Sequence, residues 1–282
     1  MARHRVLTSG QVTEMFFDSH KSALARLLGL YRLGVLDRFQ PYRASWGSHP
    51  YHYVLGPAGT AVLAAEAFED PERAARRWKP DRTVALGHTQ RLAHLVGLNG
   101  FYASLAGHAR RHPSARLVSW MTEAECARWS EAIVHPDGFG EGEEDGAGVE
   151  FFLEYDRGTE TLARLVDKLA DYERFESERG ASAWVVFCFS SPRREGTARR
   201  ALAGATVPIA TAALSRPLGA AEAVWLPLGR DDGRRVRLAA LGAMAKPGEA
   251  LRRAAVGGPR AWRFERPVPD GEAAAPGSGG GE

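Results

Sequence analysis

In the segment Phe151-Phe152-Leu153-Glu154-Tyr155-Asp156-Arg157-Gly158-Thr159, two acidic side chains interrupt a run of bulky apolar and aromatic residues. Bulky residues of this kind favour a β-strand, and residues two apart on a strand share one face. Glu154 and Asp156 would therefore lie side by side, which is costly unless a positive group lies between them. A divalent cation, Arg157 and Lys168 are the candidates for that group.

Two features flank this segment. Upstream, His135-Pro136-Asp137-Gly138-Phe139 places an aspartate in a turn after a short predicted strand at Ile133-Val134. Downstream, apolar residues recur at three- and four-residue steps and predict a helix with Lys168 beside its apolar face. These apolar residues are Leu162, Leu165, Val166, Leu169, Tyr172 and Phe175. The predicted order is an aspartate in a turn, Glu-x-Asp on a strand and a lysine on a helix.

This order resembles the PD-(D/E)xK nuclease superfamily, which has the restriction-endonuclease-like fold. Pro136-Asp137 matches the "PD" of that motif, and Glu154 matches its central acid. The superfamily usually has a lysine two residues after that acid, where this chain has Asp156. Some members carry the lysine on the neighbouring helix instead, and Lys168 would be that residue. The resemblance implies that Asp137, Glu154, Asp156 and Lys168 are catalytic.

The resemblance also implies a metal ion, with Asp137, Glu154 and Asp156 as ligands. Carboxylate oxygens suit Mg²⁺ or Mn²⁺, which would activate a water and neutralise charge on a scissile phosphate, while Lys168 orients that water. The expected reaction is cutting or nicking of DNA. In the alternative, Asp137 caps a turn, Glu154 pairs with Arg157, and Lys168 is a surface residue of the helix.

A second resemblance covers residues 5–205 and rests on short motifs in a fixed order. They are Leu7-Thr8 with Gln11-Val12, Ala25-Arg26-Leu27-Leu28, Tyr53-Val54-Leu55 with Gly59, His94-Leu95 with Asn99, Trp120 with Glu123, Pro136-Asp137, the segment 154–159, and Lys168-Leu169 with Tyr172. This succession is similar to the replication-relaxation family of actinobacterial plasmids and integrated elements. The resemblance implies DNA binding linked to plasmid replication or DNA relaxation.

The N-terminal part of the chain follows the order of a winged helix-turn-helix domain. Helices are predicted at 7–17, 20–33 and 57–68, with strands at 35–39 and 51–55 and a polar loop between the strands. In such domains the second helix enters the major groove and the loop, or wing, contacts the backbone. Lys21, Arg26 and Arg32 would then face DNA, with Arg43 on the wing. A solvated helix face, an ordinary basic loop or a protein-binding module would give the same pattern.

The whole chain is thus predicted to be an α/β (α+β) protein with two domains. Residues 1–70 form the winged helix, and residues 71–82, which are charged and contain two prolines, form a linker. Residues 83–266 form a restriction-endonuclease-like αβββαβ domain with a C-terminal extension, in which strands are predicted at 183–189, 209–214, 223–226 and 236–241. Residues 267–282 are rich in Gly, Pro, Ala and Glu and are predicted to be disordered.

The composition of the chain limits the classes of protein to which it can belong. The 282 residues are 44% hydrophobic with a net charge of +3, but residues 131–180 carry 5 Lys+Arg against 15 Asp+Glu, a net charge of −10. There are two cysteines, no run of about eighteen apolar residues and no secretory pattern near the first residue. We therefore expect a cytoplasmic protein that does not span a membrane. Its expected partners are double-stranded DNA and plasmid replication or transfer proteins, and a homodimer is left open.

Three readings follow from these patterns. In the first, the protein binds DNA in plasmid maintenance and keeps the nuclease fold as a scaffold. In the second, it is a metal-dependent endonuclease or nicking enzyme. In the third, it is a winged-helix transcription regulator with an effector domain. An acidic cluster on a strand face favours the first two readings, because a regulator has no need of one.

Overall fold

Two β-sheets with helices packed on them form the part of the chain that the structure describes. The structure is a computed structural model, and it describes residues 1–41, 49–79, 90–180, 182–213, 219–230 and 232–244. The first part contains β1 (Leu7–Thr8), α1 (Ser9–Phe16), α2 (His20–Arg32), β2 (Leu36–Phe39), β3 (His52–Leu55), α3 (Pro57–Glu66) and α4 (Pro71–Arg77). The mixed α/β class predicted from the sequence is confirmed.

The second part of the chain follows after residue 89. Its elements are α5 (Gln90–Arg111), β4 (Ala115–Thr122), α6 (Glu123–Trp129), β5 (Gly138–Glu144), β6 (Ala147–Asp156), α7 (Leu162–Arg179), β7 (Trp184–Phe189), α8 (Pro192–Ala201), β8 (Ile209–Ala213), β9 (Leu226–Pro227) and α9 (Leu238–Gly242). No helix among the described residues is long and apolar enough to cross a bilayer.

The first sheet is small and antiparallel, with strand order β1-β3-β2. The predicted strands and helices of this part are present within a few residues of their expected ends, whereas the two-residue strand β1 was not predicted. Thr8 begins α1 through a reciprocal cap with Gln11: the Thr8 hydroxyl accepts from the Gln11 amide, and the Gln11 side chain accepts from the Thr8 amide. Arg43 lies outside the described residues.

The second sheet has six strands in the order β4-β5-β6-β7-β8-β9. Strands β4, β5 and β6 are antiparallel neighbours, and β7 and β8 then continue parallel to β6. Parallel neighbours need a crossover connection, and α7 and α8 supply it. Every residue of β7 is buried, which explains why its sequence is continuously apolar. The sheet therefore brings the ends of β6 and β7 to one edge, with α7 and α8 beside them.

Two of the predicted strands were wrong. Ile133-Val134 is not a strand, because Glu131 and Ala132 adopt positive φ angles and the Ser130 hydroxyl donates to the Val134 carbonyl oxygen, which makes a turn. Asp137 therefore precedes β5 instead of following a strand. Residues 238–242 form helix α9 rather than a strand, with two leucines buried three positions apart.

The segment predicted as a linker contains helix α4, because its proline stands at the first helical turn and the Asp70 carboxylate accepts from the amides of Glu72 and Arg73. One apolar cluster also joins the N-terminal part to the second sheet, with Val12 and Met15 of α1 in the same core as Phe101 of α5. The division into two domains stays a prediction.

Helix α5 approaches β6 closely at Gly97. A Cβ atom at this position would lie 2.5 Å from atoms of the Tyr155 ring, so Gly97→Ala is expected to lower the free energy of unfolding by about 1–3 kcal/mol. Gly29→Ala on α2 is the matched control, since nothing lies within 4 Å of its Cβ position, and it should raise stability by about 0.5–1 kcal/mol. Urea unfolding of both variants tests this, and equal effects would contradict it.

Candidate functional site

Glu154 lies near the end of β6 and is only 2% exposed. Its two carboxylate oxygens accept hydrogen bonds from α7: the Lys168 Nζ donates to Oε2 at 2.7 Å and the Tyr172 hydroxyl donates to Oε1 at 2.5 Å. Lys168 and Tyr172 are four residues apart and therefore share one face of the helix. The predicted contact between the helix lysine and the strand acid is thus present, whereas the alternative of a surface Lys168 is not.

The electrostatics of this pair follow from its burial. Burial raises the pKa of Glu154 to about 7, the charge of Lys168 acts against that shift, and nearby Asp137 adds to it. Burial would lower the pKa of Lys168, but the Glu154 carboxylate outweighs this effect, so that the lysine pKa is raised. Glu160, whose Oε2 is 3.3 Å from the same Nζ, contributes in the same direction. Lys168 is therefore held as a cation against a buried acid.

Tyr172 is the second hydrogen-bond donor to Glu154. Burial and the adjacent Glu154 carboxylate both raise the pKa of its hydroxyl well above the ordinary value. The hydroxyl consequently keeps its proton and donates a hydrogen bond to Glu154. A buried carboxylate with two donors of this kind has the compensation that its desolvation requires.

Asp137 is fixed beside this site by the first bonds of the β5–β6 pairing. Its backbone N–H donates to the Leu153 carbonyl oxygen at 2.9 Å, and its Oδ2 accepts from the Tyr155 N–H at 2.7 Å. The other oxygen, Oδ1, lies 3.0 Å from Nε2 of His94 on α5. His94 was not predicted as a site residue, because its position on α5 gives no indication of which acid it meets.

Asp156 is paired separately from Glu154. Its Oδ2 accepts from Nε of Arg194 on α8 at 2.7 Å, and its Oδ1 accepts from the Gly158 N–H at 2.5 Å. Arg194 also donates to the Glu160 carbonyl oxygen at 2.6 Å. The positive groups beside the two strand acids are therefore Lys168 and Arg194. Sequence analysis missed Arg194, because its contact depends on the parallel pairing of β6 with β7, which brings the start of α8 next to the end of β6.

A divalent ion does not fit this arrangement of donors. Each of Asp137, Glu154 and Asp156 has both carboxylate oxygens engaged by donor groups of the protein. Within the described ranges, no group of three or more His, Cys, Asp or Glu side chains is placed to hold a metal. A metal between Asp137 and Glu154 would share the Glu154 oxygens with Lys168 and Tyr172. What the site does as arranged is bind the end of β6 to α5, α7 and α8.

The His94–Asp137 pair predicts a dependence of stability on pH. The hydrogen bond to Asp137 raises the pKa of His94; burial lowers it, and the Asp137 charge raises it further. A raised histidine pKa stabilises the fold below the unfolded value of about 6.5, and this contribution is lost as the pH rises through the folded value. The stability difference between wild type and His94→Asn should be largest at pH 6 and shrink by pH 9.

This difference should be below about 1 kcal/mol, because the pair is partly solvated. His135→Asn, at an exposed side chain, is the matched control. Thermal unfolding of the three proteins across this pH range measures the effect. A His94→Asn difference that grows with pH would contradict the ion pair.

The residues predicted to face DNA lie on α2. Lys21, Arg26 and Arg32 are all exposed, and the thirteen residues of α2 include no Asp or Glu. Ala23 and Leu27 are the buried residues of this helix. Lys21 and Arg32 lie opposite them on one face, and Arg26 lies about 140° around the helix from Lys21. Helix α2 therefore presents positive charge to solvent without a carboxylate of its own to neutralise it.

Comparison with known proteins gives one family. A family model described as replication-relaxation matches residues 1–183. The matched segment is about two thirds of the 282 residues and runs from β1 through α7, so that it includes Asp137, Glu154 and Lys168 as well as α2. No curated protein matches the chain.

Proposed function

The chain belongs to the replication-relaxation family, and we propose that it acts in the replication or relaxation of a plasmid or mobile element by gripping double-stranded DNA. The observation that carries this proposal is the exposed basic face of α2. A surface with several unneutralised cations binds phosphates and releases counterions. Plasmid replication or transfer proteins are its further proposed partners, and the cytoplasm its proposed location.

The order of elements supports a winged helix-turn-helix in the N-terminal part. Helices α1 and α2 are followed by the antiparallel strands β2 and β3 and then by α3. In this fold the helix before the strands enters the major groove, and the connection between the strands forms the wing. Lys21, Arg26 and Arg32 then contact DNA from the helix, and Arg43 does so from the wing.

The order of elements in the second part supports a restriction-endonuclease-like scaffold. Helix α5, the antiparallel strands β4–β6, helix α7 and the parallel strand β7 follow the αβββαβ pattern, with the short helix α6 inserted after β4. We propose that this scaffold is not a nuclease in the present chain, because Lys168 and Tyr172 already engage both oxygens of Glu154.

The second candidate is a Mg²⁺- or Mn²⁺-dependent endonuclease or nicking enzyme. It is favoured by the proximity of Asp137, Glu154 and Lys168, because Asp137 is hydrogen-bonded to both neighbours of Glu154, at Leu153 and Tyr155, and Lys168 donates to Glu154 itself. In that enzyme Asp137, Glu154 and Asp156 would be the metal ligands and Lys168 would contact the reacting phosphate. In this candidate the metal would bind Glu154 at oxygens that also accept hydrogen bonds from Lys168 and Tyr172.

The experiment that separates the two candidates uses supercoiled and linear plasmid with the purified full chain. DNA binding is measured by gel shift, and nicking is measured with Mg²⁺ or Mn²⁺ present. We expect wild type, Glu154→Gln and the double variant Glu154→Gln/Lys168→Met to shift DNA equally, with no nicking by any of them. Nicking by wild type that is lost in Glu154→Gln would favour the enzyme, and failure of wild type to shift DNA would overturn the proposal.

A further inference from the structure

We propose that Arg38 is a phosphate anchor of the DNA-binding surface, held in place by Tyr31 and Tyr51. The inference rests on the proposed DNA-binding function and adds a contact that neither α2 nor the wing supplies. Arg38 lies on β2, Tyr31 lies on α2, and Tyr51 directly precedes β3. One arginine thus contacts both elements that flank it.

The geometry is a double cation–π stack. The guanidinium carbon of Arg38 lies 4.5 Å from the centre of the Tyr31 ring and 4.2 Å from the centre of the Tyr51 ring. Both distances are inside the range in which a guanidinium is attracted by an aromatic ring. The two tyrosines are 38% and 36% exposed, although large aromatic side chains are usually much more buried. The stack therefore lies at the surface.

The chemistry of a stacked guanidinium suits a phosphate. A guanidinium that lies over rings keeps its N–H donors in its own plane, where they can meet two phosphate oxygens at once. Arg38 lies opposite Tyr53 in the pairing of β2 with β3, so its guanidinium extends over the tyrosines from the sheet. The neighbouring Asp37 carboxylate accepts from the backbone N–H of Arg38. The rings also hold the side chain in one orientation, which lowers the entropy lost on binding.

The stack lies close to the residues that are proposed to contact DNA. Tyr31 is next to Arg32 on α2, and Tyr51 follows the connection between β2 and β3 that carries Arg43. The base of this connection is closed by a hydrogen bond of 2.5 Å from the Gln40 side chain to the His49 carbonyl oxygen. Arg38 therefore lies between the end of α2 and the start of β3, beside the residues of α2 that are proposed to contact DNA.

The test measures DNA affinity as a function of salt for Arg38→Gln and Arg38→Lys. Glutamine removes the charge and keeps a planar polar group, so we expect about a tenfold loss of affinity and a salt slope reduced by about 0.9. Lysine keeps the charge but lacks the planar guanidinium, so the salt slope should equal that of wild type while the affinity falls several-fold. Arg116→Gln is the matched control, because Arg116 is exposed on β4 and pairs with Glu143.

The outcomes separate this inference from the proposed function. If wild type fails to bind DNA, the proposed function fails and the inference with it. If wild type binds and Arg38→Gln keeps the wild-type salt slope, only the inference is overturned, and the stack then serves stability alone. A variant with Tyr31→Leu and Tyr51→Leu keeps Arg38 itself, and it should keep the wild-type salt slope while losing affinity several-fold. Unchanged affinity in this variant would also overturn the inference.

Discussion

Replacing Lys168 with methionine is expected to lower the free energy of unfolding by about 3 kcal/mol at pH 8. The Lys168 ammonium is the cation that contacts Glu154, whose side chain is only 3% exposed. Methionine fills much of the same space without charge, so that Glu154 is left as a buried carboxylate that keeps the hydrogen bond from Tyr172. The loss is large because the remaining charge is uncompensated.

The effect of Lys168→Met on stability is expected to depend on pH. Burial already raises the pKa of Glu154 to about 7, and removing Lys168 raises it further because an opposing charge is lost. An acid with a raised folded pKa destabilises the fold as the pH rises above its unfolded value of about 4.3. The effect of Lys168→Met should therefore be small at pH 4, grow with pH, and level off above the folded pKa.

A double-mutant cycle isolates the pair. In Glu154→Gln/Lys168→Met the charge is absent from both partners, and the cost relative to wild type should fall to about 1 kcal/mol. Arg164→Met, at an exposed position on α7, is the control for replacing a cation on this helix. Urea unfolding at pH 5 and pH 8 provides the measurements. A Lys168→Met effect that is equal at both pH values would contradict a buried ion pair.

The parts of this site that local patterns encode were predictable. The bulky run of β6 predicts a strand, and the apolar period of α7 predicts a helix whose edge carries Lys168. Thr161 caps that helix by accepting from the Arg164 N–H, and its turns then bring Lys168 and Tyr172 over β6. Because Glu154 and Lys168 are only 14 residues apart, the strand, the turn and the helix together suffice to predict their contact.

The contacts of this site that depend on long-range strand pairing could not be predicted from local patterns. Asp137 and His94 are 43 residues apart, and Asp156 and Arg194 are 38 apart. Whether these residues meet depends on how the strands between them pair. The metal site, which was predicted from three acids in a familiar order, stays a prediction, and each of these acids contacts a basic side chain on a different helix. Like charges on one strand face thus indicate a need for compensation, but they do not indicate whether a metal or a basic side chain provides it.

The triple variant Lys21→Ala/Arg26→Ala/Arg32→Ala is expected to lose DNA affinity by about a hundredfold at moderate salt. All three side chains are exposed on a helix that has no acidic residue, so each can neutralise a phosphate. The slope of log affinity against log salt should fall by about 2.7, since each phosphate contact contributes about 0.9. Fluorescence anisotropy of a labelled duplex over a range of salt concentrations measures both quantities.

The matched control removes the same charge from a different helix. Arg164, Arg174 and Arg179 are exposed on α7, and replacing all three with alanine changes the net charge by the same amount as the α2 variant. If the whole protein's charge attracted DNA without a defined surface, both triple variants would lose the same salt slope. If α2 is the helix that enters the groove, only the α2 variant has a reduced salt slope. Equal slopes for the two variants would therefore remove α2 from the DNA-binding surface.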